Sequence, residues 1–260
     1  MTTAIKHGQF VWHDLMTQDV EKSADFYGEL FGWTTHELDM GDDGIYTMLL
    51  SNDTPIGGMV KFEMDNVPPH WMPYIAVDDV ESVVATFENK GGSVCMPPRD
   101  IPNVGRFSIV HDPQGGVIST IKFSTSDGGA PLSSEAGRFC WCELLAKNSS
   151  EANEFYKELF HWECEEMKLE NDSYWVQKLD GCPQAGVMNM PPGVELEHAA
   201  WVVFVSVDDV DGAAKKAQSL GATVQVRPTD IPGVGRFASL KDPNGAVFNV
   251  FKGAPGCDQS

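Results

Sequence analysis

Apolar and polar residues follow one another along this chain with two different periods. Between residues 10 and 16, Val11, His13 and Leu15 alternate with Phe10, Trp12, Asp14 and Met16, the period of two that places successive side chains on opposite faces of a strand. Val20, Ala24, Tyr27 and Phe31 then recur at helical spacing, Phe26 and Leu30 widen the stripe, and Gly32 stands where a helix would end. Short β-rich runs follow at Tyr46–Leu50 and Ile56–Phe62. The order then starts again. A strand sets Trp71, Ile75 and Val77 on one side against Met72, Tyr74 and Ala76 on the other. Val80, Val83, Val84 and Phe87 mark a second helix ahead of Gly91 and Gly92, and strands are predicted at Arg106–His111 and Val117–Phe123. The pattern is βαβββ, twice.

The second half of the chain repeats the first. Phe10-Val-Trp-His-Asp-Leu and Asp25-Phe-Tyr-Gly-Glu-Leu-Phe-Gly-Trp33 return, 129 residues on, as Phe139-Cys-Trp-Cys-Glu-Leu and Glu154-Phe-Tyr-Lys-Glu-Leu-Phe-His-Trp162. Val77-Asp-Asp-Val80, Asp100-Ile-Pro-Asn-Val-Gly-Arg-Phe107 and Asp112-Pro-Gln-Gly115 return 130 residues on, at Val207, Asp230 and Asp242. A near-constant offset means a tandem duplication. The reading is α+β: a first domain at 1–123, a Ser/Gly/Pro-rich linker at 124–134 and a second domain at 135–260, with four βαβββ modules in all. Parity carries over as well. Trp12, Asp14, Trp141 and Glu143 share one side of their strands, while Val11, His13, Leu15 and Cys140, Cys142, Leu144 take the other, apolar side that should pack under the helix. In the later module, Trp201, Val203, Val205 and Val207 face the helix, leaving Val202, Phe204 and Ser206 opposite.

Charge narrows the function. Lys+Arg 18 against Asp+Glu 38 gives a formal net charge of -20, which repels nucleic acid and anionic membrane. There is no run long enough to span a membrane and no apolar segment behind the N-terminal lysine, so the expectation is a cytoplasmic protein, monomer or homodimer, whose partner is a small molecule. Cys95, Cys140, Cys142, Cys164, Cys182 and Cys257 form no CxxC pair and none recurs between the copies, so they are read as reduced thiols.

The βαβββ modules, the phrase F-Y-x-x-L-F-G-W after the first strand, V-D-D-V before the second helix, and G-R-F followed by D-P-x-G at the end of each half resemble the vicinal oxygen chelate superfamily. This is the group of glyoxalase I, extradiol dioxygenases and bleomycin-resistance proteins. The resemblance covers almost the whole chain and implies tandem glyoxalase-like domains, with concave curved sheets forming cups and helices outside. It also implies a divalent metal on His, Gln or Glu side chains in each cup. Mapped onto this chain, the ligand positions fall on Trp12 and Trp141, on Met72 and Val202, and on Ser119 and Asn249. Indole, thioether and aliphatic groups are not ligands for such a cation, and a lone Ser or Asn is a poor one. No metal or other cofactor is therefore expected, a divalent metal being the alternative.

The histidines do not restore the site. Parity turns His13 under the helix, where Cys142 replaces it in the second copy; His70, His111 and His198 likewise lack counterparts, although His70 could converge with Asp14. Asp14 and Glu143 are the candidate general acid or base, since a carboxylate beside an indole in a dry cup has a raised pKa; the alternative is an ion pair with Arg106 or Arg236. Those arginines could hold an anionic ligand or fix a loop. Trp12 and Trp141 could stack on a ligand or fill the core, with Tyr74 and Phe204 beside them, whereas Asp78, Asp79, Asp208 and Asp209 read as helix caps. Three functions follow. The first is a metal-independent protein of the bleomycin-resistance kind, holding an aromatic or amphipathic ligand. The second is a glyoxalase-like lyase, isomerase or dioxygenase with an unconventional metal or bare carboxylates. The third is an interaction module whose cups have degenerated.

Overall fold

A computed structural model describes residues 5–64, 67–125, 128–168, 172–194 and 196–254; Cys257 and linker positions 126 and 127 lie outside them. The first module is β1 (Phe10–Thr17), α1 (Val20–Phe31), β2 (Thr34–Asp39), β3 (Ile45–Ser51) and β4 (Thr54–Lys61). The second is β5 (His70–Ala76), α2 (Val80–Asn89), β6 (Ser93–Ile101), β7 (Gly105–His111) and β8 (Val117–Phe123). The third is β9 (Phe139–Ala146), α3 (Ser149–Phe160), β10 (Glu163–Lys168), β11 (Ser173–Leu179) and β12 (Cys182–Asn189). The fourth is β13 (Ala200–Ser206), α4 (Val210–Ser219), β14 (Thr223–Ile231), β15 (Gly235–Lys241) and β16 (Val247–Gly253).

The helices start and stop where the side chains dictate. Asp19, Asp79 and Asn148 cap α1, α2 and α3 by accepting from the backbone N–H three residues on, and Asp209 takes the same position before α4 without that bond. Gly32 ends α1 in the left-handed region, and His161 adopts the same conformation after α3. The buried stripe of α1 is Ser23, Phe26, Tyr27 and Leu30, one step round from the predicted one, so that Val20, Ala24 and Phe31 lie at its margin.

The strands form two curved eight-stranded sheets, one from each half of the chain, in the orders β2-β3-β4-β1-β5-β8-β7-β6 and β10-β11-β12-β9-β13-β16-β15-β14. In each module the first strand pairs parallel with the last, which requires the helical crossover between them, and the remaining pairings are antiparallel. β2 and β10 escape a reading of periodicity because they are almost wholly exposed and polar.

Packing divides the chain differently. One compact unit comprises the described residues of Met1–Trp12, Pro73–Pro131 and Trp141–Val202; the other comprises those of His13–Met72, Leu132–Cys140 and Val203–Ser260. In the first, Tyr156 on α3 donates from its hydroxyl to Asp112 (2.8 Å) and accepts from the Trp201 indole (3.1 Å). The other oxygen of Asp112 accepts from the backbone of Gln114 and Gly116 and so holds the D-P-Q-G turn, in which Gly115 has φ 88°. The second unit builds the same group from the opposite copies. Tyr27 on α1 donates to Asp242 (3.0 Å) and accepts from Trp71 (3.0 Å), while Asp242 also accepts from the backbone of Asn244, Gly245 and Ala246. Each repeat thus supplies the tyrosine for the other repeat's turn. Loss of water pushes both carboxyls up and both phenols well above their ordinary values.

Tyr156→Phe strands a buried indole N–H and a buried carboxylate oxygen, and it is expected to cost roughly 1–3 kcal/mol of stability in denaturant unfolding. Asp112→Asn should cost a similar amount, and the double variant should fall short of the sum because the two changes break one bond. Strict additivity would show that the hydroxyl and the carboxylate are not coupled.

Candidate functional site

The chemistry that parity places on the cup side of β9 is assembled within the first compact unit. Glu143 lies opposite Gly186 on β12, and Gly186 lies opposite Val176 on β11. From β11, Tyr174 reaches over that glycine, its hydroxyl donating to Glu143 Oε2 (2.8 Å) and accepting from Trp141 Nε1 (3.1 Å). A Cβ at residue 186 would collide with the Tyr174 hydroxyl and press on the Trp141 indole nitrogen, so the close approach requires glycine. Three residues along β11, Gln177 points the other way and donates to Asn153 on α3 (2.6 Å). The helix therefore covers the face opposite the carboxylate.

Glu143 is partly buried, and among the described residues Tyr174 is its one hydrogen-bond partner. Loss of water pushes its carboxyl up to about 7, and the Tyr174 hydroxyl opposes the shift. The same environment holds the Tyr174 phenol well above its ordinary value, so it stays protonated. The second unit repeats the motif one methylene shorter: Tyr46 donates to Asp14 (2.7 Å) above Gly58, which lies opposite Asp14. Asp14 is 4% exposed, and with that it differs from Glu143, which keeps more of its surface accessible.

Other predicted residues fall elsewhere. Tyr74 lies opposite Ser119 and near the Phe107 ring, and Phe204 lies opposite Asn249 and near the Phe237 ring. Ser119 donates to Ser108 O (3.0 Å) and Asn249 to Val203 O (3.3 Å), both from buried positions. Met72 is buried and Val202 partly so. The ion pair considered for the carboxylates is not formed by the arginines. Arg106 binds Glu81 and Asp100 instead, and Arg236 binds Asp211 and Asp230, each tying the start of a helix to a strand hairpin. His13 is fully buried against the Phe139 ring (centroids 4.0 Å), and loss of water lowers it to about 3, so it is a neutral core residue. Phe10 and Phe139, the first residues of their strands, leave the side that parity gives them and join the ring clusters of Trp162 and Trp201 and of Trp33 and Trp71. His70 hydrogen-bonds to Pro68 O and lies edge-on to the Phe62 ring. Among the described residues no group of three or more His, Cys, Asp or Glu side chains could hold a metal ion, and five cysteines are free thiols.

Tyr46, Tyr174, Gly58 and Gly186 escaped the sequence reading. They recur between the copies at a spacing of 128, in runs that had been read only as strands. A cleft of 480 Å³ also lies on the first unit, lined by His111, Gln114, Lys147, Asn148, Glu151 and His198 among others. It does not include Glu143, and its Gln114 and Asn148 are bonded to one another, so its shape follows from a brace between a turn and the start of α3.

Known proteins agree with this architecture. The family model described as Glyoxalase/Bleomycin resistance protein/Dioxygenase superfamily matches residues 8–119, and a Glyoxalase-like domain model matches residues 142–251. A Mycobacterium tuberculosis protein named "Putative glyoxylase CFP32" is 38% identical over 94% of each chain. The anthracycline biosynthesis protein DnrV of Streptomyces peucetius is 30% identical over 95% of this chain and 94% of its own. The 2,3-dioxygenase LapB from Pseudomonas sp. KL28 shares the fold, with a TM-score of 0.67 at 16% identity over 98% of this chain and 94% of that one. The Mn(II)-bound glyoxalase from Novosphingobium aromaticivorans does so with a TM-score of 0.66 at 14% identity, over 95% and 82%. The chain belongs to the glyoxalase/bleomycin resistance protein/dioxygenase superfamily, as a tandem two-domain member.

Because Glu143 is raised from its ordinary value of 4.5 to about 7, the folded protein holds a proton between those values that the unfolded chain has released. Its contribution to stability is thus full below pH 4.5, falls as pH rises to 7 and is flat above. Glu143→Gln should remove that slope, and relative to the variant the parent should lose on the order of 2 kcal/mol between pH 4.5 and 8, allowance being made for the wetted part of the carboxylate. Parallel pH profiles for the two proteins would show that the carboxyl is not perturbed.

Proposed function

We propose that the chain is a metal-independent small-molecule binding protein of the glyoxalase/bleomycin-resistance type, with an aromatic or amphipathic ligand held on the Trp141 and Glu143 face of β9–β12. The observation that carries this reading is the state of Trp141. Trp33, Trp71, Trp162 and Trp201 are 2–6% exposed and belong to ring clusters, whereas Trp141 is partly exposed and its ring meets no other aromatic ring among the described residues. Its one bond, from Nε1 to Tyr174, fixes the edge of the indole and leaves the faces for stacking.

The donor chemistry supports the metal-independent part. At the positions where the superfamily implies ligands, this chain has Trp12, Met72 and Ser119, and Trp141, Val202 and Asn249. The two that carry oxygen are buried and donate to backbone carbonyls, so the set does not fit a divalent cation. A second reading, a lyase, isomerase or dioxygenase, draws on a different observation. A carboxyl near 7 is in the range useful to a general acid or base, and several relatives carry enzyme names.

Metal analysis of protein purified without chelator is expected to give well under one ion per domain. Binding of N-phenyl-1-naphthylamine, followed by tryptophan quenching, should be unchanged by EDTA. Trp141→Ala should abolish that quenching while costing less than the ~3–5 kcal/mol of a packed core aromatic. One tightly held ion per domain, lost together with binding or turnover on chelation, would overturn the reading in favour of the enzyme.

A further inference from the structure

Among the described residues Glu143 has no counter-ion. Its one partner among the described residues is the neutral Tyr174 hydroxyl, on Oε2, which leaves Oε1 as an acceptor with no protein donor. No lysine or arginine contributes to the balance that sets its ionisation. Lys178, on the strand of Tyr174, is engaged with Glu165. A partly dry carboxylate without a cation is unfavourable unless something completes it. The groups around it are fixed rather than adaptable: Tyr174 is seated on Gly186 and bonded at both its donor and acceptor positions, and the Trp141 indole is anchored by its nitrogen. The carboxylate shares the Tyr174 hydroxyl with an indole, the side chain whose faces attract cations best.

We infer that Glu143 reads a protonated amine, carried by the aromatic or amphipathic ligand and bound between Glu143 Oε1 and the Trp141 ring. This rests on the ligand-binding reading above and adds the charge of the ligand to it. The rest of the chain favours such a guest, since a net charge of -20 raises the local concentration of cations and disfavours anions. The first copy is not equivalent. Asp14 is one methylene shorter, 4% exposed and bonded to Tyr46, so it offers a cation far less surface than Glu143 does. The amine site belongs to the second copy.

Three naphthalenes of one shape separate charge from stacking: 1-naphthylmethylamine, 1-naphthylmethanol and 1-ethylnaphthalene, titrated into the intact protein at pH 8 with tryptophan quenching as the readout. At that pH the amine is protonated and Glu143 is ionised. The amine is expected to bind at least tenfold more tightly than the ethyl compound, with the alcohol between them. Glu143→Gln, which keeps an acceptor for Tyr174 and is checked for folding by circular dichroism, should bring all three within about twofold of one another. If the ethyl compound binds the parent protein as tightly as the amine, the cup binds ligands and the amine inference is wrong. If none of the three binds, the ligand-binding reading itself falls and takes the inference with it. If the amine preference survives Glu143→Gln and is lost in Asp14→Asn, the assignment to the second copy is overturned.

Discussion

A phenol buried away from water must find an acceptor, and a buried carboxylate must find donors; in this chain each solves the problem of the other, once in each compact unit. Tyr156 binds Asp112 and Tyr27 binds Asp242. The bond ties the middle of a helix to a tight turn far away in sequence, and the turn exists in that form because the second carboxylate oxygen gathers its backbone N–H groups. The two tryptophans that donate to the tyrosines, Trp201 and Trp71, are held by the same bond. One interaction thus sets the helix, the turn and a core strand in register. Since the tyrosine and the aspartate come from different repeats, it also decides that a repeat does not pack by itself. The F-Y phrase and the D-P-x-G phrase are two ends of a single contact.

This arrangement leaves the other face of each sheet free to vary. The helix side is committed to ring clusters and to polar bonds such as Gln177 to Asn153, where volume and hydrogen bonding are both constrained. On the opposite side some positions are buried and hydrogen-bonded as well, such as Ser119 and Asn249, but there the side chains differ in length, polarity and exposure between the copies. A constraint retained on it in both copies is a glycine beneath a tyrosine that is bonded to a carboxylate. A rigid scaffold with a variable face suits a superfamily whose members bear such different names.

The duplication, the module order and the side of most strand residues were legible because periodicity and repetition are properties of the chain itself. Strand parity put Trp141 and Glu143 together and His13 in the core, where the structure has them. Parity fails at Phe10 and Phe139, which begin their strands, and composition fails at β2 and β10, which are polar edges with no buried face to announce them. The partners of the carboxylates were missed for a different reason. An expected partner for Asp14 or Glu143 was an arginine, the group of opposite charge; the structure supplies a tyrosine, and charge patterning gives no sign of a neutral donor. Only the combined recurrence of Tyr and Gly at a common spacing marked it. Which repeat packs on which could not be read either, because nothing local distinguishes Tyr27 binding its own repeat's Asp112 from Tyr27 binding Asp242.

The two copies hold a carboxylate at the same strand position but at two different depths. Asp14 and Glu143 occupy matching strand positions, each opposite a glycine and each accepting from a tyrosine. With the shorter side chain the carboxylate stays within the protein surface. The longer side chain of Glu143 keeps more of its surface accessible, and partial loss of water raises its carboxyl. Full burial would have sealed the group, and full exposure would have restored its ordinary acidity. A tyrosine that cannot move, because a glycine admits it and an indole holds it, keeps the longer side chain at that depth.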